Sequence, residues 1–182
     1  MLALGAAAGS RFDPAWLDWQ PGLALREPWR WWSAAFVHWS DAHLVMNLVG
    51  AALVALLGWR GGLGPRAAAA WALAWPLTQL GLLAQPGLRH YGGLSGVLHA
   101  GVAIAACVLL RSGEQRGVLI GRLLGVGLLL KIALEQPWGP PTRVVVGWDF
   151  ALAPAAHASG VLAGVLAWWI VCRRQPHLPM SA

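Results

Sequence analysis

The 182-residue chain is 58% hydrophobic and 11% charged, with a mean hydropathy of +0.58. These figures exclude an ordinary soluble fold and point to one integral membrane domain. The formal net charge of +6 comes from basic residues scattered between apolar runs, a pattern that membrane topology explains and a nucleic-acid surface does not.

Met1 to Gly9 is apolar but only about half as long as a spanning helix, so it reads as the remnant of a first membrane helix. Ser10 to Glu27 carries Asp13, Pro14, Asp18, Pro21 and Gly22, the composition of an ordered loop. Pro28 to Ser40 holds Trp29, Trp31, Trp32 and Trp39 with Arg30 among them, which suits a segment half-submerged at the membrane–water boundary. A second spanning run covers Ala42 to Trp59, with His43 and Asn47 four residues apart on one helical face. The third covers Ala67 to Ala84, with Pro76 as an expected kink, and the fourth begins at Ser95 and ends near Leu110. Gly117 to Glu135 makes a fifth and Ala151 to Cys172 a sixth. Cys107 and Cys172 lie inside these runs without metal or disulfide spacing and read as small core residues.

The charges set an orientation. Arg60, Arg66, Arg111, Arg116, Arg173 and Arg174 follow even-numbered runs and mark the cytoplasmic side, so the C-terminus is expected there. Asp13, Asp18, Glu27, Asp41 and Asp149 collect on the opposite side, mixed with several arginines. Ser95, at the start of an out-to-in helix, then sits near the outer leaflet, within reach of water.

Gly93-Leu94-Ser95-Gly96 is a G-x-S-G pattern, close to the nucleophile elbow in which small residues let backbone donors approach a reacting centre. Taken alone, a serine in a membrane helix is more often a packing residue than a nucleophile. The sixth run supplies a base, because His157 shares a face with Gly160 and Gly164. Ala156, Gly160 and Gly164 form a small-residue ridge, and Gly92, Gly96 and Ala100 offer a matching one on the fourth run. Two such ridges in contact bring Ser95 and His157 to one depth, where an imidazole titrating near neutrality activates a hydroxyl. His43 and Asn47 carry N–H donors suited to a developing oxyanion, or else tie helices together.

The run from Trp29 to Asn47, Gly93-Leu94-Ser95-Gly96, and Ala156-His157 through Gly160 and Gly164 together resemble the W-R segment, H-x-x-x-N helix, G-x-S-G and A-H-x-x-G-x-x-x-G motifs of the rhomboid intramembrane serine proteases. The resemblance spans about Trp29 to Trp169 and is closest to the bacterial rhombosortase branch, to which Leu94 to His99 and Lys131 to Gln136 are also similar. It implies an all-α, polytopic, six-helix rhomboid-like bundle in the bacterial inner membrane, as one domain over residues 1–182: a partial first helix at 1–9, an outer loop at 10–41, helices two to six over 42–172 and a cytoplasmic tail at 173–182. It implies a Ser95 nucleophile, a His157 base, and oxyanion stabilisation by His43 and Asn47 with Ser95 and Leu94. No cofactor is implied. The implied substrates are single-pass membrane proteins ending in Gly-Gly, a hydrophobic helix and a basic tail. The competing class is a catalytically silent rhomboid-like protein that binds membrane helices.

Gly92 and Gly93 form a narrow approach to Ser95 and are assigned to substrate binding. His99, one turn below Ser95, lines the substrate or supports the site, since a base on the nucleophile's own helix is badly aimed. His38 reads as a loop anchor, and His90 and His177 lie outside the spans. Zinc held by His38, His43, His99 and His157 is disfavoured, because no acidic ligand or close-spaced H-E-x-x-H accompanies them. Lys131 and Glu135, four apart on the fifth run, form an ion pair, with Glu135 also a candidate for receiving a basic or polar substrate group.

Overall fold

Ser40 begins the first long helix by accepting the His43 amide on its side-chain oxygen, an N-cap that satisfies one of the free donors of the first turn. In the computed structural model, which describes residues 13–85 and 87–173, the helices in chain order are α1 (Pro14–Leu17), α2 (Arg30–Ser33), α3 (Asp41–Arg60), α4 (Pro65–Gly81), α5 (Ser95–Leu109), α6 (Gln115–Glu135) and α7 (Pro154–Val171). A 3-10 turn over Leu82–Ala84 extends α4. The expected partial first helix at 1–9 and the tail from 174 onward lie outside the described residues.

Among the described residues, four helices are long and apolar enough to cross a membrane: α3, α4 with its 3-10 extension, α6 and α7. The molecule is thus a helical membrane protein. α5, with 15 residues, is shorter, and most of its residues are buried. It packs on α3, α4, α6 and α7, and apolar residues all round its surface find protein instead of lipid. α3 and α6 are the most exposed spans, presenting Val49, Leu53 and Leu56 on one and Leu123, Val126 and Leu130 on the other. Pro76 stands inside α4 without ending it, and Thr78 Oγ1 donates to Ala74 O nearby.

The small-residue ridges meet as expected, one residue set excepted. A Cβ on Gly160 would overlap the Gly96 backbone, and one on Gly164 would meet Ala100 O at 2.5 Å. Gly92 is not part of that ridge, because it precedes α5 and packs instead against Val37.

The sixth run begins later than Ala151. Ala151–Leu152 pairs with Arg143–Val144 as a two-stranded antiparallel ribbon, β1 and β2, and α7 starts at Pro154. A residue before proline is pushed out of the helical region, and Ala153 is at φ −113°, ψ 87°. Proline itself fits the first helical position because the missing N–H has no partner there.

The Trp-rich segment divides. Trp29, Trp32 and Trp39 are half-exposed, as suits a membrane boundary. Arg30 is buried: its guanidinium donates to Asp18 O at 2.6 Å, Asp18 Oδ1 at 3.0 Å, Ala15 O at 2.9 Å and Glu27 Oε2 at 2.6 Å. Asp18 is wholly buried and also meets His90 Nδ1 at 2.6 Å and Gln20 Nε2 at 2.8 Å. Breaking such a buried pair costs about 3–5 kcal/mol, so this knot sets the loop's conformation. It passes that order to the site through the paired backbones of Trp19 and Tyr91, 2.7 and 2.9 Å apart.

Candidate active site

Ser95 opens α5 and His157 lies in the first turn of α7, so the packing of Gly96 on Gly160 brings both side chains to the same end of the bundle. His157 Nε2 stands 3.0 Å from Ser95 Oγ. Its Nδ1 lies 2.7 Å from Glu135 Oε2 at the end of α6. A carboxylate only accepts, so in a neutral His157 this contact takes the tautomer with the proton on Nδ1, whose Nε2 lone pair faces the serine hydroxyl.

The turn before α5 is set by Tyr91, whose hydroxyl donates to Gly93 O at 3.0 Å, and by Gly93 N donating to Ala34 O at 2.9 Å. Burial raises the Tyr91 pKa, which keeps the phenol a donor. Gly93 is at φ +128°, a conformation side chains rarely adopt, and a Cβ there would lie 2.7 Å from His43 Nε2 and 3.6 Å from Asn47 Nδ2. Both side chains of α3 therefore converge on the backbone two residues before Ser95. Trp39 N donates to His43 Nδ1 at 3.4 Å, which leaves the proton on Nε2, the nitrogen that faces the turn. Asn47 Nδ2 is buried and, among the described residues, has no hydrogen-bond partner. An orphaned buried donor is costly in a finished fold and suited to an acceptor that arrives with a substrate. Phe150 stacks on His43 with ring centres 4.2 Å apart and fixes its plane.

Leu94 adds only backbone to this corner, since its side chain is fully buried in the core. The first amides of α5, Ser95 included, have no partner within their helix.

His99 stacks on His157 with ring centres 4.2 Å apart and planes 13° from parallel. Its Nδ1 donates to Ser95 O at 2.7 Å, so it contacts the base by its face and the nucleophile only through the backbone. His38 Nδ1 donates to Phe36 O at 3.1 Å, as a loop anchor does. These four histidines form two pairs: His38 meets His43 edge-to-face, with planes 68° apart, and His99 stacks on His157. Among the described residues no group of three or more His, Cys, Asp or Glu is placed to hold a metal.

Glu135 meets Lys131 as the helical spacing requires, yet its second oxygen faces His157. Sequence reasoning missed that contact. The signal was present in a carboxylate at the same end of α6 as the histidine of α7. Tyr91 was also missed, as the one tyrosine of the chain, two residues before the glycine it holds.

A cavity of about 680 Å³ lies over these groups, with Ser95, His157, His99 and Glu135 at its polar end and Met46, Leu53, Val102 and Leu128 along its apolar walls. Gly92 lines it as well, while Gly93 touches the two donors of α3. A scan against protein-family models finds no matching family, and a comparison with curated proteins finds no match.

Proposed function

We propose that the chain is an intramembrane serine endopeptidase of the rhomboid kind, with Ser95 as nucleophile and His157 as base. The observation that carries this reading is the 3.0 Å contact between His157 Nε2 and Ser95 Oγ inside a largely apolar cavity. In acylation, Ser95 Oγ bonds the scissile carbonyl carbon as its proton passes to His157 Nε2, and the carbonyl π pair moves onto oxygen. His43 Nε2–H, Asn47 Nδ2–H and the amides opening α5 surround the place where that oxyanion forms. As the tetrahedral adduct collapses, the C–N bond breaks and the leaving nitrogen takes the proton from His157. Water then repeats the sequence on the acyl-serine and releases the new carboxyl end. Nothing in a silent helix binder requires the contact between His157 Nε2 and Ser95 Oγ.

Substrates reach the site from the bilayer between α3 and α6, the two exposed spans, whose Met46, Leu53 and Leu128 line the cavity together with Val102 of α5. They are single-pass proteins with a C-terminal hydrophobic helix preceded by small residues, the tails on which rhombosortases act. Arg60, Arg66, Arg111, Arg116 and Arg173 end or flank helices at the pole away from Ser95, which favours a cytoplasmic location for that pole and an outward-facing site in a bacterial inner membrane. A fluorophosphonate probe tests the enzymatic reading: an adduct on Ser95 that disappears in Ser95→Ala is expected. A folded wild-type chain that takes no label there overturns it.

A further inference from the structure

The carboxylate of Glu135 is held from two sides. Oε2 faces His157 Nδ1 at 2.7 Å, and Oε1 accepts from Lys131 Nζ one turn earlier on α6. The Glu135 side chain is 14% exposed against 46% for Lys131, so the carboxylate is turned toward the base and the ammonium stands outside it. A helix-stabilising pair also prefers Glu ahead of Lys, the reverse of the order here. The contact with His157 accounts for what a plain ion pair does not.

Resting on the protease reading, we propose that Glu135 is a positioning residue that completes a serine–histidine–carboxylate triad, with Lys131 fixing its second oxygen. A neutral imidazole has two tautomers, and only the one protonated on Nδ1 presents a lone pair to Ser95 Oγ–H. An ionised carboxylate has acceptors only and selects that tautomer. When the Ser95 proton reaches Nε2, the imidazolium keeps its Nδ1–H on Glu135, and the carboxylate takes no proton at any step. His99 covers the ring's face and leaves both nitrogens to these partners. Lys131 keeps Oε1 occupied, so the carboxylate cannot rotate away from His157 without losing a charged contact.

The test measures saturation kinetics of Ser95 labelling by a fluorophosphonate on the full chain in detergent, a reaction in which Oγ bonds phosphorus, fluoride leaves and His157 takes the proton. Glu135→Gln is expected to lower the limiting labelling rate by about 100-fold or more while the half-saturating concentration stays within about threefold. Its amide can turn either an oxygen or an N–H to Nδ1, so the tautomer is no longer selected. Glu135→Asp should recover part of the rate, and Lys131→Met should lose about 3- to 10-fold, because the second-oxygen contact acts at one remove. ¹⁵N spectra of His157 should show the Nδ1–H tautomer in the wild type and a mixture in Glu135→Gln. Labelling of Glu135→Gln at the wild-type rate, or an Nε2–H tautomer in the wild type, overturns the proposal, and the wild-type spectrum decides it if the variant does not fold. A wild-type chain without label overturns the protease reading and this inference together. A labelled wild type beside an unimpaired Glu135→Gln overturns this inference alone.

Discussion

His157 Nε2 and Ser95 Oγ are 3.0 Å apart across 62 residues of sequence. Two groups joined by one transferred proton fail as a unit. Ser95→Ala and His157→Ala should each reduce cleavage to background with the fold retained, and the double variant should be no worse than either single one. Measured turnover near wild type in either single variant refutes the pairing.

The Gly93 turn faces two donors, His43 Nε2 and Asn47 Nδ2, the latter without a partner among the described residues. A donor aimed at a forming oxyanion is worth roughly 3 kcal/mol to the transition state and little to the ground state. Asn47→Ala and His43→Ala are therefore expected to slow cleavage by about one to three orders of magnitude with small changes in KM. Unchanged turnover in both makes them ties between helices.

The depth at which Ser95 and His157 meet depends on Gly160. An alanine there drives its Cβ into the Gly96 backbone, and neither helix can yield without moving the residue it carries. Gly160→Ala should cost about 1–3 kcal/mol of stability. Ser95 labelling should fall by more than that loss of folded protein explains. The comparison needs a thermal melt and a labelling rate on the same sample.

Burial lowers the His38 pKa from its ordinary 6.5, while the hydrogen bond to Phe36 opposes the shift. The unfolded chain then binds a proton at this residue before the folded one does. Its contribution to stability is full above about pH 6.5 and is lost as pH falls below it, at a rate of at most about 1.4 kcal/mol per pH unit. His38→Gln should flatten the acid side of a plot of melting temperature against pH. Identical slopes for the two proteins would show that His38 charges equally in both states.

Periodicity and small-residue spacing made the helices and the Ser95–His157 meeting legible, because both are properties of one or two helix faces. Arg30 was read as one more residue of a boundary segment, although it is the centre of a buried knot with Asp18, Ala15 and Glu27. Only Glu27, three residues before it, is a local partner. Ala15 in the short helix α1 and Asp18 just after it lie up to 15 residues away, with no shared period to signal the contact. The contact between Glu135 and His157 is illegible in the sequence for a related reason. Lys131 satisfied the spacing rule within one helix, and the contact to His157 depends on how α6 leans on α7. The ribbon of β1 and β2 was absorbed into the sixth run because Ala151 and Leu152 are apolar, and Pro154 was the mark of the true start.

The substrate reading makes the most exposed prediction. A peptide bond inside a helix is shielded by that helix's own hydrogen bonds, so a segment bound over Ser95 must unwind. Glycine weakens a helix by about 1 kcal/mol per residue and brings no side chain against Gly92 and Val37, which already touch. In the proposed orientation a basic tail would hold the far end of the substrate helix on the cytoplasmic side and so leave the glycines beside the site. A reporter ending in Gly-Gly, about 15 to 20 apolar residues and an Arg-rich tail should be cut and released when made together with this protein. Replacing Gly-Gly by Leu-Leu should block release. Equal cutting of the two reporters removes the sorting-tail specificity while leaving the serine–histidine chemistry in place.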